Sequence, residues 1–173
     1  MARLFVVIGV SGCGKSTVGQ ALATRLGCPY YDGDDFHPPE NVAKMASGVP
    51  LDGADRAPWL ARLAALLQQH EGRGETAVLA CSALKKAYRD KLRISEQVQF
   101  VYLKGSFDLI WQRMSQRPNH FMKADMLRSQ FASLEPPSED EAIHVAIDQP
   151  VTDSVDQILG APEIPANLAE VVA

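Results

Sequence analysis

Residues Leu4 to Thr17 read LFVVIGVSGCGKST, and this stretch decides the fold. Leu4 to Val10 is a short apolar, β-branched run bounded by glycine, the pattern of a buried strand. Gly9 to Ser16, GVSGCGKS, then satisfies G-x-x-x-x-G-K-[ST] without a mismatch. Glycines at those spacings let the backbone curl so that its N–H groups converge on phosphate, and the helix that follows adds the positive end of its dipole. Lys15 is placed to follow β- and γ-phosphate charge, and the Ser16 hydroxyl to ligate Mg²⁺. Gly9, Val10, Ser11, Gly12, Cys13, Gly14, Lys15, Ser16 and Thr17 form the candidate ATP-binding loop. Cys13 lies beside a helix start, a place expected to stabilise its thiolate and lower its pKa.

Working outward, Val18, Leu22 and Leu26 recur at helical spacing and Gly27 stops the run. Strand-like and helix-like segments alternate along the rest of the chain. The expectation is an α/β fold: a five-stranded parallel sheet, with strands at Leu4 to Val10, Pro29 to Asp32, Thr76 to Cys81, Val98 to Leu103 and Ile143 to Asp148, covered by helices on both faces. Further helices are expected over about Asp55 to His70, from Ser106 as amino-terminal cap, and around Leu127, Phe131 and Leu134. Arg113 and Arg117, four apart, share a helix face. RPNHFMK at 117–123 has the composition of a small lid, taken as about 117–124, and the acid run EPPSEDE at 135–141 reads as solvated surface.

The chain has 173 residues, 46% apolar and 22% charged, which fits one globular domain. We place it at 1–160, followed by a loosely attached tail at 161–173. A net charge of −4 argues against broad attraction to nucleic acid or an anionic membrane. Three cysteines without C-x-x-C spacing indicate neither zinc nor a disulfide framework. The amino-terminal apolar run is too short for a signal or membrane segment, so a cytoplasmic protein is expected.

A phosphate loop alone does not separate kinases from GTPases and ATPases. No aspartate has glycine three residues on, and none of Asn41, Asn119 and Asn167 precedes lysine, which disfavours a GTPase. The third strand ends in Cys81 and Ser82 instead of a magnesium-binding aspartate. Carboxylates gather instead after strand two, in YYDGDDFH, at the carboxyl end of the sheet where parallel sheets bind ligands. Asp32 is the candidate for Mg²⁺, with Asp148 as a rival, and Asp34 the candidate that takes a proton from the acceptor hydroxyl. Asp35 is the one of the three most open to plain helix capping. His70, at a helix end, and His144, in a strand, read as structural.

The strings GVSGCGKST, DGDDFHPPENVAKMASGVPLDGADRAPWL, CSALKKAYRDKLR, FVYLKGSFDLI, RPNHFMKADMLRSQFASLEPP and DQP together resemble bacterial gluconate kinases of the thermoresistant type, from the first strand to about Gly160. The resemblance implies ATP-dependent phosphorylation of D-gluconate to 6-phospho-D-gluconate, a step of carbohydrate-acid catabolism, in a fold similar to nucleoside monophosphate and shikimate kinases and usually as a homodimer. Lys15, Asp34 and Arg117 are then the candidate catalytic groups. Gluconate offers a carboxylate and a row of hydroxyls, which Arg56, His37, Ser82, Lys85 and Arg89 are chemically suited to bind, Arg56 being first choice for the carboxylate and Arg89 second. Arg113 would lie against the adenine, Arg117 would reach the phosphates, and Gln149 and Pro150 of DQP fall toward the adenine end. Shikimate or another small acid remains an alternative acceptor, and a nucleotide-binding module without turnover an alternative class.

Overall fold

In the computed structural model, which describes residues 2–116 and 124–164, the apolar amino-terminal run becomes strand β1 (Leu4–Ile8), buried along its whole length. Successive side chains of a strand point to opposite faces. Phe5 and Val7 therefore enter one hydrophobic cluster, while Leu4, Val6 and Ile8 enter another on the far side. β2 (Tyr30–Asp32), β3 (Ala77–Ala80), β4 (Val98–Lys104) and β5 (Ala142–Ala146) complete a five-stranded sheet of order β2-β3-β1-β4-β5. Every pairing is parallel.

The cluster around Phe5 is closed by α1 (Lys15–Leu26), α5 (Phe107–Ser115), α6 (Ala124–Ser133) and α7 (Val151–Gly160). That around Leu4 is closed by α3 (Gly53–Gly72) and α4 (Lys86–Leu92). Helices cover both faces, as the alternation of the sequence requires. The helix α2 (Pro39–Ala46) and a 3₁₀ turn (Gly33–Phe36) project from the carboxyl end of β2.

Local chemistry sets these boundaries. α3 starts where Asp52 and Asp55 form a reciprocal capping box, each carboxylate accepting the other's backbone N–H at 2.8 and 3.0 Å. Lys44 binds Asp55 at 2.6 Å and holds its carboxyl below the usual range. Ser106 caps α5 through Leu109 N–H, as expected. α2, α4 and α7 were not anticipated, and the strand ends differ from the expected ones by one or two residues.

Two surface segments carry contacts that the sequence did not announce. The acid run at 135–141 is partly structural: Glu135 accepts from Lys86 N–H at 2.9 Å, and Glu141 pairs with buried Arg89 at 2.6 Å. The start of the expected loose tail is tied down, because Ile164 and the Gln99 side chain exchange hydrogen bonds at 2.9 and 3.0 Å. Of the expected lid at about 117–124, residues 117–123, with Arg117, lie outside the described residues and Ala124 opens α6; the tail from 165 lies outside them too.

Candidate active site

The loop between β1 and α1 owes its shape to glycine. Gly14 precedes α1 with φ 96°, a left-handed conformation that a side chain disfavours. Gly12, at φ 78°, lies so close to α5 that an added Cβ would stand 2.5 Å from Met114. Lys15 Nζ donates to the carbonyls of Gly9 and Val10, both at 3.0 Å, tying the loop into a ring. Its ammonium is thus held over the curled backbone, where phosphate-binding N–H groups gather.

Cys13 does not have the reactive character expected of it. Burial pushes its thiol up, and the nearby Lys15 charge offsets this only in part. The residue is 1% exposed, so desolvation outweighs the helix dipole. Cys81, at the end of β3, is pushed up to about 12 by burial.

Beside the loop, Gly12, Gly14, Thr17, Val18, Arg113, Ile147, Gln149, Val151 and Ser154 line a pocket of about 200 Å³. Arg113 Nη2 donates to Ile147 O at 2.7 Å, and Gln149 Nε2 to Ala146 O and Gln157 Oε1, both at 2.9 Å. Pro150 is the residue ahead of α7. The sequence-selected ends of the nucleotide site, the loop and DQP, are therefore brought together.

On the other flank, DGDD forms the 3₁₀ turn. Asp32 Oδ1 caps it by accepting from Asp34 N–H at 3.0 Å, so the capping role falls to Asp32 and not Asp35. Trp59 Nε1 donates to Gly33 O at 2.7 Å and fixes the turn to α3. Asp34 is exposed on this turn; surrounding protein and then the charge of Asp32 push its carboxyl up, while Lys15 and His37 oppose the shift. Solvent reaches the open tip, 83% of the side chain, and screens that push. His37 Nε2 is 3.9 Å from Asp34 Oδ1, and the ring stacks on Trp59 at 4.3 Å between centroids. Burial lowers the His37 pKa; Asp34 raises it and Arg56 lowers it.

Arg56 donates through Nη1 to Leu51 O at 2.7 Å and Tyr88 Oη at 3.3 Å, and lies over the Tyr88 ring. Its Nη2 group makes none of these bonds. Ser82 is half-buried, with its carbonyl accepting from Gly9 N–H at 3.3 Å, which sets the CSALKK loop beside the phosphate loop. Lys85 is exposed at the head of α4.

Arg89 is a correction. It is 1% exposed, and its guanidinium is engaged with Glu141 Oε1 at 2.6 Å and the carbonyls of Ala83, Leu84 and Glu135 at 2.9, 3.2 and 2.8 Å. A group so enclosed braces the loop carrying Ser82 and Lys85 and does not present itself to a ligand. The braced turn holds Ala83 at φ 41°, a left-handed conformation that costs a non-glycine residue about 1 kcal/mol. His70 and His144 are structural, as expected: His70 bonds the Tyr31 hydroxyl at 2.8 Å, and His144 packs edge-on against Tyr102.

Three residues of the site escaped the sequence reading: Trp59, Asn41 and Gln130. Gln130 of α6 accepts from Ser11 N–H at 2.6 Å and donates to Ser11 Oγ at 2.8 Å, clasping the phosphate loop. Its polar side chain inside the run Leu127, Phe131, Leu134 was the available signal.

No group of three or more histidine, cysteine, aspartate or glutamate side chains is arranged to hold a metal among the described residues. A magnesium ion shared with nucleotide phosphates needs only one or two protein oxygens. The exposed Ser16 hydroxyl and Asp32, whose cap uses one carboxylate oxygen, fit that requirement.

A phosphate loop at the end of β1, flanked by a pocket on one side and by the aspartates of the 3₁₀ turn on the other, on a parallel sheet, is the arrangement of a P-loop kinase of small molecules. The sequence profile of the family described as Shikimate kinase matches residues 11–159. The gluconokinase of Gluconobacter oxydans (strain 621H) is 49% identical over 142 residues, covering 82% of this chain and 80% of that protein. Thermoresistant gluconokinase of Escherichia coli (strain K12) is 44% identical over 152 residues, with 86% and 87% covered. A crystal structure of a gluconokinase from Sinorhizobium meliloti 1021 superposes with TM-score 0.83 at 43% identity, over 91% of this chain and 89% of that one. The chain belongs to the gluconokinase family, within the wider shikimate-kinase-like group.

Proposed function

We propose that the protein transfers the terminal phosphoryl group of ATP to D-gluconate, giving 6-phospho-D-gluconate. The observation that carries this, beside the family, is the phosphate loop, whose Lys15 Nζ is tied to the Gly9 and Val10 carbonyls at 3.0 Å; next to it we place an acceptor cleft bounded by Asp34, His37 and Arg56. Phosphoryl transfer through a loose transition state requires mainly alignment and charge stabilisation.

Lys15 leaves the Gly9 and Val10 carbonyls to follow charge on the transferred phosphoryl, and loop N–H groups hold the rest. Asp34 accepts the proton of the attacking hydroxyl. Arg56 takes the gluconate carboxylate through the face of its guanidinium not used by Leu51 and Tyr88. Ser82, Lys85 and His37 serve the hydroxyls. Arg113, Gln149 and Pro150 border the adenine, and Arg117 reaches the phosphates. Ser16 and Asp32 would hold Mg²⁺, which supplies charge neutralisation at the phosphates when bound. We further read the protein as a cytoplasmic homodimer. Among the described residues no helix is long and apolar enough to cross a membrane.

The test is ATP consumption with gluconate, shikimate or no acceptor, for the wild type and for Lys15→Ala. Gluconate-dependent turnover that Lys15→Ala loses while staying folded supports the reading. Turnover with shikimate alone, or with neither acid, refutes it. Light scattering checks the dimer.

A further inference from the structure

Asn41, 3% exposed on α2, sits behind His37. Its Nδ2 lies 2.8 Å from Asp55 O and 3.2 Å from His37 Nδ1. A backbone carbonyl can only accept, so the Asn41 atom facing Asp55 must be the amide nitrogen. The second N–H of that nitrogen then points at His37 Nδ1, which must accept. A neutral imidazole that accepts at Nδ1 carries its proton at Nε2, and Nε2 is the nitrogen turned toward Asp34. Trp59, stacked within 14° of parallel, holds the ring plane.

We propose that Asn41 is a positioning residue that locks His37 as the neutral Nε2–H tautomer, making His37 a hydrogen-bond donor into the acceptor cleft and never the proton acceptor there. The bonds then run in one direction. Asn41 donates to His37, His37 Nε2–H donates to a hydroxyl oxygen of the bound acid, and that hydroxyl is left to donate its own proton to Asp34. This rests on the cleft being the acceptor site proposed above.

The charged groups facing the ring are Asp34 from the 3₁₀ turn and Arg56 from α3. Asp34 favours an imidazolium; Arg56 and, above all, burial disfavour it. Protonating Nδ1 would also set an N–H against the Asn41 amide, so the geometry and the electrostatics agree.

Ring nitrogen NMR reads the tautomer directly and needs no turnover. The chain has four histidines, and the His37 signal is assigned by its loss in His37→Gln. Expected for the wild type is a neutral Nε2–H ring at about pH 7 to 8, above the ordinary imidazole range, since burial lowers the His37 pKa. Asn41→Ala, without the donor, should lose the single tautomer, and Asn41→Asp, which places an acceptor there, should shift the ring to Nδ1–H or to the cation. A wild-type Nδ1–H ring or imidazolium at pH 7 overturns the proposal, as does an Asn41→Ala ring unchanged from wild type.

Activity gives a second reading. The amide nitrogen of glutamine reaches the place of Nε2 and that of asparagine the place of Nδ1. His37→Gln should therefore keep kcat/KM for gluconate about tenfold or more above His37→Asn, the value of one well-placed hydrogen bond. Equal values, or the reverse order, refute the donor role. Should gluconate not be phosphorylated at all, the functional reading falls while the NMR still decides the lock. Phosphorylation with the wrong tautomer defeats the lock alone.

Discussion

Replacing Arg89 by methionine separates bracing from binding, because it keeps much of the buried volume and removes every donor. The guanidinium makes one charged bond, to Glu141, and three to carbonyls. Glu141 is 11% exposed at its side chain, so the variant leaves a largely buried carboxylate without its partner. Breaking one side of such a pair costs about 3–5 kcal/mol. At about 2–4 °C per kcal/mol for a chain of this size, Tm should fall by roughly 6–20 °C. Calorimetry or far-ultraviolet circular dichroism measures that fall, and gluconate KM is taken well below the lowered Tm. A Tm within about 2 °C of wild type together with a gluconate KM raised tenfold or more would return Arg89 to the substrate and refute the bracing argument. A double-mutant cycle with Glu141→Gln adds a second check: coupling below about 0.5 kcal/mol means the pair does not act as a unit.

Asp34→Asn should keep ATP binding and lower kcat by about 10²- to 10⁴-fold, whereas Asp32→Asn should weaken magnesium dependence and recover in part with added metal; kcat across a magnesium titration distinguishes them, and the opposite pattern exchanges the two roles. Gln130→Leu should release Ser11 and raise KM for ATP, with circular dichroism confirming the fold; wild-type kinetics would deny the clasp any part in shaping the loop. Burial raises the pKa of all three thiols, so exposure sets the order, and at pH 8 alkylation should label half-buried Cys28 before buried Cys13 and Cys81. Peptide mapping reads the order, and Cys13 labelled first would contradict its burial.

The phosphate loop was legible because its chemistry is local: glycines, a lysine and a hydroxyl within eight residues, between a strand and a helix. The strands were legible because both faces of the sheet are buried, which leaves continuous apolar runs. α2 and α4 were not, since α2 opens on prolines and exposes most of its length, and α4 has only 7 residues, mostly charged. α7 had a readable stripe in Val151, Val155 and Ile158 that was passed over. Arg89 was misread because a sequence displays charge but not depth, and its partner Glu141 lies 52 residues away. Asp32, Asp34 and Asp35 are neighbours in the sequence, yet which one caps depends on the φ and ψ of a 3₁₀ turn that no periodicity announces.

β1 is a partition as well as a strand. Phe5 and Val7 belong to the cluster that includes Val18 and Ile147 of the nucleotide pocket, while Leu4, Val6 and Ile8 share theirs with Trp59 and Ala83 of the acceptor side. Adjacent letters of the sequence thus fill opposite layers of the fold. A methyl group removed at Val7 opens space in the layer that backs the pocket beside the phosphate loop, and one removed at Val6 opens space in the layer that holds Trp59, although a single peptide plane separates the two residues.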